Sequence, residues 1–378
     1  MRNIWRIILI IFAVLACLLI LVWPMAPLWE KLGADPICIG GTWPDLKISD
    51  CPGGETAVTT MQLPTPGTDG PIPIIVDDDG SPDGSIALLF FLRNPLFDVR
   101  AVTISYGEAH PEKFAPHVAQ ILADAGRTDI PVGYGKDAPL EGTNAFPESW
   151  RQASDGFWGL PLPQASGAIK PVPAARLIAE TISKSKKPVT IFISGSHANL
   201  AEALRLDPGI AANIRDVYIM GGSVNIPGNI HSDWPEFVNE TAEWNIWVDP
   251  LAASEVFSSG LPLHLVPLDA TRQVVWKQTD VPGWKADAPE SELAGDLLQW
   301  MLDNWSRDGV FIWVLVAAVQ ATDPEACPEV PMALEVVTAS GPDEGRTLTV
   351  NAPANISVCL EPDTAKIKSL AAAVFHQP

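Results

Sequence analysis

Short runs rich in Val and Ile alternate with stretches of helical character through the middle of the chain, and this alternation constrains the fold most. The predicted strands are residues 72–76, 99–105, 189–194, 217–220 and 263–267. The predicted helices are residues 85–92, 111–125, 174–185 and 199–206. Strands that alternate with helices predict an α/β fold, with an open, mostly parallel sheet and helices on both of its faces.

The composition supports a large folded domain and argues against one class of partner. Hydrophobic residues make up 47% of the 378 residues and charged residues 18%, so a sizeable core is expected. The 45 acidic and 24 basic residues give a formal net charge of −21. A surface this negative repels phosphate backbones, so we predict no nucleic-acid partner. A homo-oligomer is compatible with the sequence.

An uncharged apolar run covers residues 7–23, and Arg2 and Arg6 precede it. A helix of about 20 apolar residues crosses a bilayer, and positive charge keeps its own end in the cytoplasm. We therefore predict a signal anchor over residues 1–31. The protein would then be a single-pass cell-membrane protein with its main domain outside the cytoplasm. The alternative is a cleaved signal peptide and a secreted or periplasmic domain.

Residues 32–70 are rich in Pro, Gly and Thr and read as a linker, which leaves residues 71–378 for the α/β domain. Four cysteines lie outside the apolar run, and an exported domain can keep disulfides. Sequence proximity favours the pairs Cys38–Cys51 and Cys327–Cys359. Connectivity does not follow from spacing, and four free thiols are the alternative.

Four aspartates follow the first predicted strand within seven residues: Asp77, Asp78, Asp79 and Asp83. Carboxylates this crowded repel one another unless a cation lies among them. A set of oxygen ligands without nitrogen or sulfur favours a hard cation such as calcium (Ca2+). The alternative interpretation is a turn rich in Asp, Gly and Pro that caps the next helix.

Polar residues also follow the other strands, and ligands bind beyond the carboxyl ends of parallel strands. Glu108 follows the second strand, and Met220-Gly221-Gly222 ends the fourth. Farther along, Asn229, Glu243 and Asn245 together have the groups to hydrogen-bond a vicinal diol. Each of these three alone would be an ordinary loop residue.

Taken in order, these motifs resemble the inosine-uridine-preferring nucleoside hydrolase family. The family's Asp-x-Asp-x-x-x-Asp-Asp motif corresponds here to Asp77-x-Asp79-x-x-x-Asp83. The later counterparts are Met220-Gly221-Gly222, Gly228-Asn229, Glu243-Trp244-Asn245, Asp249-Pro250 and Leu268-Asp269-Ala270-Thr271. The resemblance extends from about residue 72 to near the C-terminus.

The resemblance implies a calcium-dependent hydrolase that cleaves the N-glycosidic bond of a purine or pyrimidine ribonucleoside with metal-activated water. Asp79 would bind the metal and act as the general base. Ala198 stands where the family uses a threonine carbonyl as a metal ligand. The residues that would hold the ribose hydroxyls are Asp83, Asn229, Glu243 and Asn245.

The chain departs from the family pattern at three metal-site positions. Gly84 replaces the second aspartate of the motif, Val314 replaces a late carboxylate, and Glu108 replaces an asparagine. Calcium affinity depends on the number of charged ligands, so these losses weaken the expected metal site. Our hypothesis is that Glu108 and Asp78 partly rebuild the ligand shell.

Three functions therefore remain open. The first is an active nucleoside N-ribohydrolase, or a hydrolase of a related glycosyl substrate, and the second is a catalytically inactive nucleoside- or ribose-binding ectodomain. The third is a structural or interaction ectodomain that has kept only the fold. Gly84 and Val314 favour the second, whereas the retained Asn229, Glu243 and Asn245 argue against the third.

The residues that contact the base are the least constrained by the sequence. Trp313 stands in the place of the leaving-group histidine of some family members, and Trp234, Trp244 and His231 are further candidates. The alternative for each tryptophan is ordinary packing. The insertion 230–241 lies between two predicted sugar contacts and is interpreted as a lid.

Overall fold

The chain divides into two compact units, residues 1–60 and 61–378. The computed structural model describes residues 38–40, 47–49, 63–162 and 170–377. The predicted signal anchor lies outside these residues, and so does Cys51, the second cysteine of the predicted pair Cys38–Cys51. Among the described residues, no helix combines the length and the apolar character needed to cross a bilayer.

The first unit contains one described hairpin-like pair of strands. Strand β1 (Cys38–Gly40) pairs antiparallel with β2 (Lys47–Ser49).

The second unit is built on a nine-stranded sheet. Its strands and those of two small accessory sheets are, in chain order, β3 (Ile72–Asp78), β4 (Phe97–Ile104), β5 (Val132–Tyr134), β6 (Val172–Pro173), β7 (Val189–Ser194), β8 (Ile214–Met220), β9 (Leu263–Val266), β10 (Val275–Trp276), β11 (Val310–Phe311), β12 (Glu329–Met332), β13 (Leu334–Val336), β14 (Thr347–Thr349) and β15 (Ile356–Cys359). The order across the central sheet is β12-β15-β9-β8-β7-β3-β4-β5-β6. Every neighbouring pair in it is parallel except β12 and β15.

Helices connect these strands. The described α-helices are, in chain order, α1 (Pro82–Arg93), α2 (Pro111–Asp124), α3 (Glu148–Asp155), α4 (Ala174–Lys184), α5 (Ala198–Leu206), α6 (Ile230–Asp233), α7 (Trp244–Trp247), α8 (Pro250–Phe257), α9 (Leu268–Thr271), α10 (Pro289–Asn304), α11 (Trp313–Thr322) and α12 (Thr364–Phe375). The predicted strand–helix alternation is confirmed, and α1 begins earlier than predicted. Ser81 caps α1 by accepting a hydrogen bond from the backbone N–H of Gly84 at 3.0 Å, and Pro82 suits the first helical position.

Two hydrophobic cores lie on opposite faces of the sheet, because successive residues of a strand point to opposite sides. Ile74 and Val76 of β3 pack in a core with residues of α1, α2, α10, α11 and α12. Ile75, between them, packs in a second core with residues of α4, α5 and α8. Helices therefore cover both faces, and this arrangement leaves the carboxyl ends of the parallel strands at one shared edge.

One side of the sheet ends in short strands that the hydrophobic pattern does not reveal. Strands β12 and β15 pair antiparallel there. Cys359, the last residue of β15, forms a disulfide with Cys327, which lies two residues before β12. This is the pair that sequence proximity favours in the C-terminal region.

Candidate active site

Three neighbouring strands of the sheet, β7, β3 and β4, end around one carboxyl group. Asp79 follows β3, Gly107 lies beyond β4, and Gly195 follows β7. A Cβ atom at Gly107 would lie 2.2 Å from Asp79 Oδ2, and one at Gly195 would lie 2.5 Å from Asp79 Cβ. Glycine at these two positions therefore makes the room that the Asp79 side chain occupies.

Asp77 belongs to β3 and links the end of this strand to neighbouring elements in the protein interior. It is fully buried, and its Oδ1 accepts hydrogen bonds from Thr103 Oγ1 at 2.5 Å and Asn199 Nδ2 at 2.8 Å. These partners belong to β4 and α5, so Asp77 fixes the end of β3 against two neighbouring elements. The first aspartate of the motif thus has a positioning role.

The carboxyl group of Asp78 fills the space beside Gly84. Its Oδ2 accepts from the backbone N–H of Gly80 at 2.8 Å, and its Oδ1 accepts from Ser194 Oγ at 3.0 Å. A Cβ atom at Gly84 would lie only 1.7 Å from Asp78 Oδ1. A side chain at position 84 and the observed Asp78 conformation are therefore mutually exclusive.

The remaining carboxyl groups of the cluster are Asp79, Asp83 and Glu108. Asp79 Oδ2 accepts from the backbone N–H of Glu108 at 3.0 Å, whereas the buried Asp79 Oδ1 has no hydrogen-bond partner. Asp83 Oδ2 accepts from the backbone N–H of Val314 at 3.1 Å. Ser154 Oγ donates to Glu108 Oε1 at 3.4 Å. Asp77 Oδ2 is likewise buried without a hydrogen-bond partner, so these two carboxylate oxygens of the cluster are free to take a ligand or a proton.

Burial makes these carboxyl groups harder to ionise. Loss of hydration raises the pKa of Asp77 and the pKa of Asp78 to about 7. The pKa of Asp79 lies well above its usual value, first because of burial and then because of the negative charges of Asp78 and Glu108. Burial also raises the pKa of Asp83 and, with Asp83 and Asp78 nearby, that of Glu108. A cation bound among them would favour the ionised forms.

The predicted sugar contacts gather at the end of β8. Glu243 Oε2 accepts from the backbone N–H of Gly222 at 2.9 Å, and its Oε1 accepts from the N–H of Asn245 at 3.0 Å. Asn245 Nδ2 donates to the carbonyl of Met220 at 3.2 Å. Burial raises the pKa of Glu243 to about 7. Gly222 and the short helix α7 thus hold Glu243 and Asn245 side by side.

Asn229 contacts the same short helix, α7. Its Oδ1 accepts from the backbone N–H of Trp244 at 3.3 Å. Another motif aspartate, Asp249, is structural: it accepts from the N–H groups of Leu140 and Ala252, and so holds a loop against the start of α8.

A cavity of about 350 Å³ lies beside Asp79 and Glu243. We define its acidic end by the six lining residues Asp79, Asp83, Glu108, Asn229, Glu243 and Asn245. We define its aromatic wall by the seven lining residues Phe146, Trp150, Trp158, Trp244, Trp300, Trp305 and Trp313. All predicted sugar-binding residues and the predicted base therefore meet in one cavity. Asp78 and Ala198 are not among the lining residues.

One part of the aromatic wall comes from α3 and α7. Phe146 stacks on Trp244 with ring centroids 4.8 Å apart, and Trp150 lies 5.4 Å from Trp244. Trp234 contacts Trp150 from outside the lining, and His231 Nδ1 lies 2.7 Å from the carbonyl of Phe237. Of the predicted base-side residues, Trp244 and Trp313 therefore line the cavity, whereas Trp234 and His231 do not.

The other part of the aromatic wall is a chain of four rings. The ring centroids of Trp158 and Trp300 are 6.0 Å apart, those of Trp300 and Trp305 are 6.0 Å apart, and those of Trp305 and Trp313 are 6.3 Å apart. Trp158 lies in the segment after α3. Trp300 belongs to α10, Trp305 directly follows α10, and Trp313 begins α11. Of these four, the sequence singles out only Trp313, because the only signal for the other three is that the chain has 14 tryptophans.

The backbone that carries Trp158 is strained. Phe157 and Trp158 have φ angles of 48° and 51°, in the left-handed region that large side chains rarely adopt. Each such residue costs about 1–2 kcal/mol relative to right-handed backbone. Strain of this kind persists where the surrounding structure enforces it, often at functional sites. Here it directs an aromatic side chain into the lining of the cavity.

The cluster suits a hard metal ion in its donor chemistry but not in its present arrangement. Within the part of the chain that the structure describes, no three His, Cys, Asp or Glu side chains are arranged to hold a metal. Gly84 and Val314 supply no carboxylate, and Asp78 is engaged with Gly80 and Ser194. Buried oxygen donors and the unpartnered Asp79 Oδ1 nevertheless match the ligands that calcium prefers.

Comparison with known proteins identifies the family of this chain. The model of the inosine-uridine preferring nucleoside hydrolase family matches residues 74–369. The pyrimidine-specific ribonucleoside hydrolase RihA of Escherichia coli is 35% identical over 233 residues, which is 61% of this chain and 72% of the relative.

Solved structures show the same fold. A plant nucleoside hydrolase superposes with a TM-score of 0.71 and 25% identity, over 82% of this chain and 100% of the other. A purine-preferring ribonucleoside hydrolase from Gardnerella vaginalis superposes with a TM-score of 0.68 and 23% identity, over 80% and 99%. The family match covers most of the second unit, including the acidic end. The chain is therefore a nucleoside-ribohydrolase-like enzyme and belongs to the inosine-uridine preferring nucleoside hydrolase family.

Proposed function

We propose that the cavity hydrolyses the N-glycosidic bond of a ribonucleoside and releases ribose and the free base. One observation carries this proposal: the predicted base and the four predicted sugar-binding residues line one cavity together with seven aromatic side chains. A polar end for the sugar and an aromatic wall for the base match the two halves of a nucleoside.

Asp79 acts as the general base. Its Oδ1 is buried and unpartnered, and burial with nearby carboxylates raises its pKa above the usual value, which makes the ionised group a stronger base. It takes the proton of the water that attacks the anomeric carbon. Asp83, Asn229, Glu243 and Asn245 bind the ribose hydroxyls and orient the sugar for this attack.

Calcium is the cofactor that the donor set favours. Asp79, Asp78, Glu108 and the backbone carbonyl of Ala198 would hold it. When bound, the ion would make water more acidic and so supply the nucleophile at neutral pH. Asp78 is the natural substitute for the carboxylate missing at Gly84, since its own carboxyl group occupies the space beside that residue.

The named relatives differ in the base that they prefer, one being pyrimidine-specific and another purine-preferring. We therefore propose the ribonucleoside class as the substrate without restricting the ring size. On the prediction from residues 1–31, the enzyme acts outside the cytoplasm on a membrane tether.

Ribose release from inosine, uridine and adenosine tests the proposal directly. The full chain is assayed with millimolar calcium and with excess chelator, next to the Asp79→Asn variant. We expect release that requires both calcium and Asp79. If no nucleoside is cleaved, hydrolysis is excluded for these substrates.

A nucleoside-binding protein without catalysis is the second candidate. It is favoured by the lack, among the described residues, of three side chains arranged to hold a metal. In that case ribonucleosides would raise the thermal midpoint without being cleaved.

A further inference from the structure

We propose that the cavity prefers N-ribosides whose base carries a fixed positive charge, such as a ribosylated pyridinium or an N7-alkylated purine. This inference rests on the proposed function and specifies its substrate class. It is drawn from three independent features of the cavity: its charge, its aromatic wall and its supply of proton donors.

The charge of the lining is one-sided. Five carboxyl groups line the cavity: Asp79, Asp83, Glu108, Asp233 and Glu243. No Lys, Arg or His occurs among the described lining residues. A divalent cation bound among them would favour their ionised forms and offset two of the negative charges, and ribose offsets none. A positively charged base would therefore be attracted, whereas the phosphate of a nucleotide would be repelled.

The aromatic wall provides the second feature. Six tryptophans contribute to the lining, and the face of an indole ring is the best aromatic surface for a cation. Trp150 and Trp244 stand in one group of rings, and Trp300, Trp305 and Trp313 form another. A flat cationic heterocycle gains both stacking and cation–π attraction from such walls, whereas a neutral base gains only stacking.

The third feature is the scarcity of proton donors for a leaving group. A neutral base departs more easily when a side chain donates a proton to its ring nitrogen. The described lining contains no His, Lys, Tyr or Cys, so its carboxyl groups are the only side chains of these types that could donate a proton to the base, and calcium would favour their ionised forms. Asp233, which lies beside Trp244, accepts a hydrogen bond from Trp244 Nε1 at 3.2 Å and so presents an acceptor at that oxygen.

A cationic base needs no such donor. The bond between C1′ and the positively charged ring nitrogen breaks, and its electron pair neutralises that nitrogen as the base leaves. The water oxygen bonds to C1′, and the released proton passes to Asp79 and then to solvent. Atoms and charge balance without another reactant.

Binding of a matched pair of ligands tests the charge preference. Nicotinamide riboside carries a pyridinium, and benzamide riboside is its neutral isostere with a carbon–carbon glycosidic bond. Calorimetry on the Asp79→Asn variant with calcium avoids turnover of the first ligand. We expect the cationic riboside to bind at least about tenfold more tightly, as a cation–π contact in a desolvated site predicts. Equal or weaker binding would overturn the inference.

The Trp305→Leu variant tests whether the aromatic wall causes the preference for the cationic riboside. Trp305 is 45% exposed, so its replacement is compatible with folding. We expect the affinity for nicotinamide riboside to fall several-fold more than that for benzamide riboside. Trp234→Leu, outside the lining, is the matched control and should change neither affinity. An equal loss for both ligands in Trp305→Leu would contradict the inference.

Hydrolysis by the wild-type chain separates this inference from the proposed function. We expect kcat/KM for nicotinamide riboside to exceed that for inosine and uridine by about tenfold or more. If inosine or uridine is cleaved equally well or better, the proposed function stands and the charge preference is wrong. If none is cleaved, the proposed function is wrong, and the calorimetric comparison alone decides the charge preference. Because the calorimetric comparison measures binding alone, the greater intrinsic reactivity of a cationic riboside does not affect it.

Discussion

The acidic end and the aromatic wall face the same cavity but are built in different ways. The acidic end comes mostly from the ends of parallel strands, and each of Asp79, Asp83 and Glu243 is fixed by backbone N–H groups. The aromatic wall comes from helices and loops that are far apart in the chain, and its rings hold one another. On the proposed function, the ends of the sheet strands would therefore bind the sugar, and the surrounding helices and loops would contact the base.

The largest effect is expected from Asp79→Asn, because a positioned general base contributes about 10²–10⁴-fold to a rate. We expect kcat to fall by that factor while the thermal midpoint changes little. Steady-state ribose release measures it, and Asp124→Asn, on an exposed carboxyl of α2, is the control. Activity within threefold of wild type would show that the acidic end is not the reaction centre.

The pair Gly84 and Asp78 provides the next test of the acidic end. Gly84→Ala places a Cβ atom within 1.7 Å of Asp78 Oδ1 in the present conformation. We expect a loss of about 1–3 kcal/mol in the free energy of unfolding and a marked loss of activity, since the carboxyl group must move. Denaturant unfolding and ribose release measure the two effects.

A reciprocal double variant refines this test. In the double variant Asp78→Ala with Gly84→Asp, the carboxyl group of residue 84 would occupy the space that the Asp78 carboxyl group leaves. It should be more stable and more active than Gly84→Ala alone. If the double variant is no better, the two positions do not share one space in the way the structure indicates.

A smaller effect is expected from pH and calcium. The folded-state pKa values of Asp77, Asp78 and Glu243 are about 7, above those of the unfolded chain. The folded state then holds more protons between about pH 4 and 7, so stability falls as pH rises through this range. With chelator, the thermal midpoint should be lower at pH 8 than at pH 5.

Calcium should reverse that decline. At a hundredfold excess over its Kd, a ligand adds about 2.7 kcal/mol, which corresponds to roughly 5 °C or more in the midpoint. We expect this gain at pH 8 and a smaller one at pH 5, because protonated carboxyl groups bind calcium poorly. An equal shift at both pH values would place the calcium away from these carboxyl groups.

The smallest effect is expected in the aromatic wall. Trp150→Leu removes one stacking surface worth about 0.5–1.5 kcal/mol, which predicts a rise in KM of roughly twofold to tenfold with kcat nearly unchanged. Steady-state kinetics with one purine and one pyrimidine nucleoside measure it. A fall in kcat as large as that of Asp79→Asn would contradict the division of roles between the two walls.

The same contrast explains what the sequence could predict. The strands around β3 are continuous Val- and Ile-rich runs, and polar residues at their ends must meet at one edge of a parallel sheet. Asp79, Asp83 and Glu243 could therefore be assigned to one site before the structure was known. The motif residue Asp77 was recognisable too, although only the structure reveals its contacts with Thr103 and Asn199.

Other parts depend on packing between distant segments and leave no local pattern. Trp158, Trp300 and Trp305 become neighbours only when α10 packs beside the segment after α3. The exclusion between Asp78 and a side chain at Gly84 likewise depends on the orientation of two backbone segments in space. The edge strand β12 and its neighbour β15 are too short for a clear hydrophobic period.

The central claim is that the sugar lies at the acidic end and the base against the aromatic wall. A crystal structure of the full chain with calcium and a non-cleavable C-nucleoside tests it most directly. The account predicts ribose hydroxyls within hydrogen-bond distance of Asp83, Asn229, Glu243 and Asn245, with the heterocycle in contact with tryptophan rings. A ligand bound in the opposite orientation, or outside this cavity, would contradict the account.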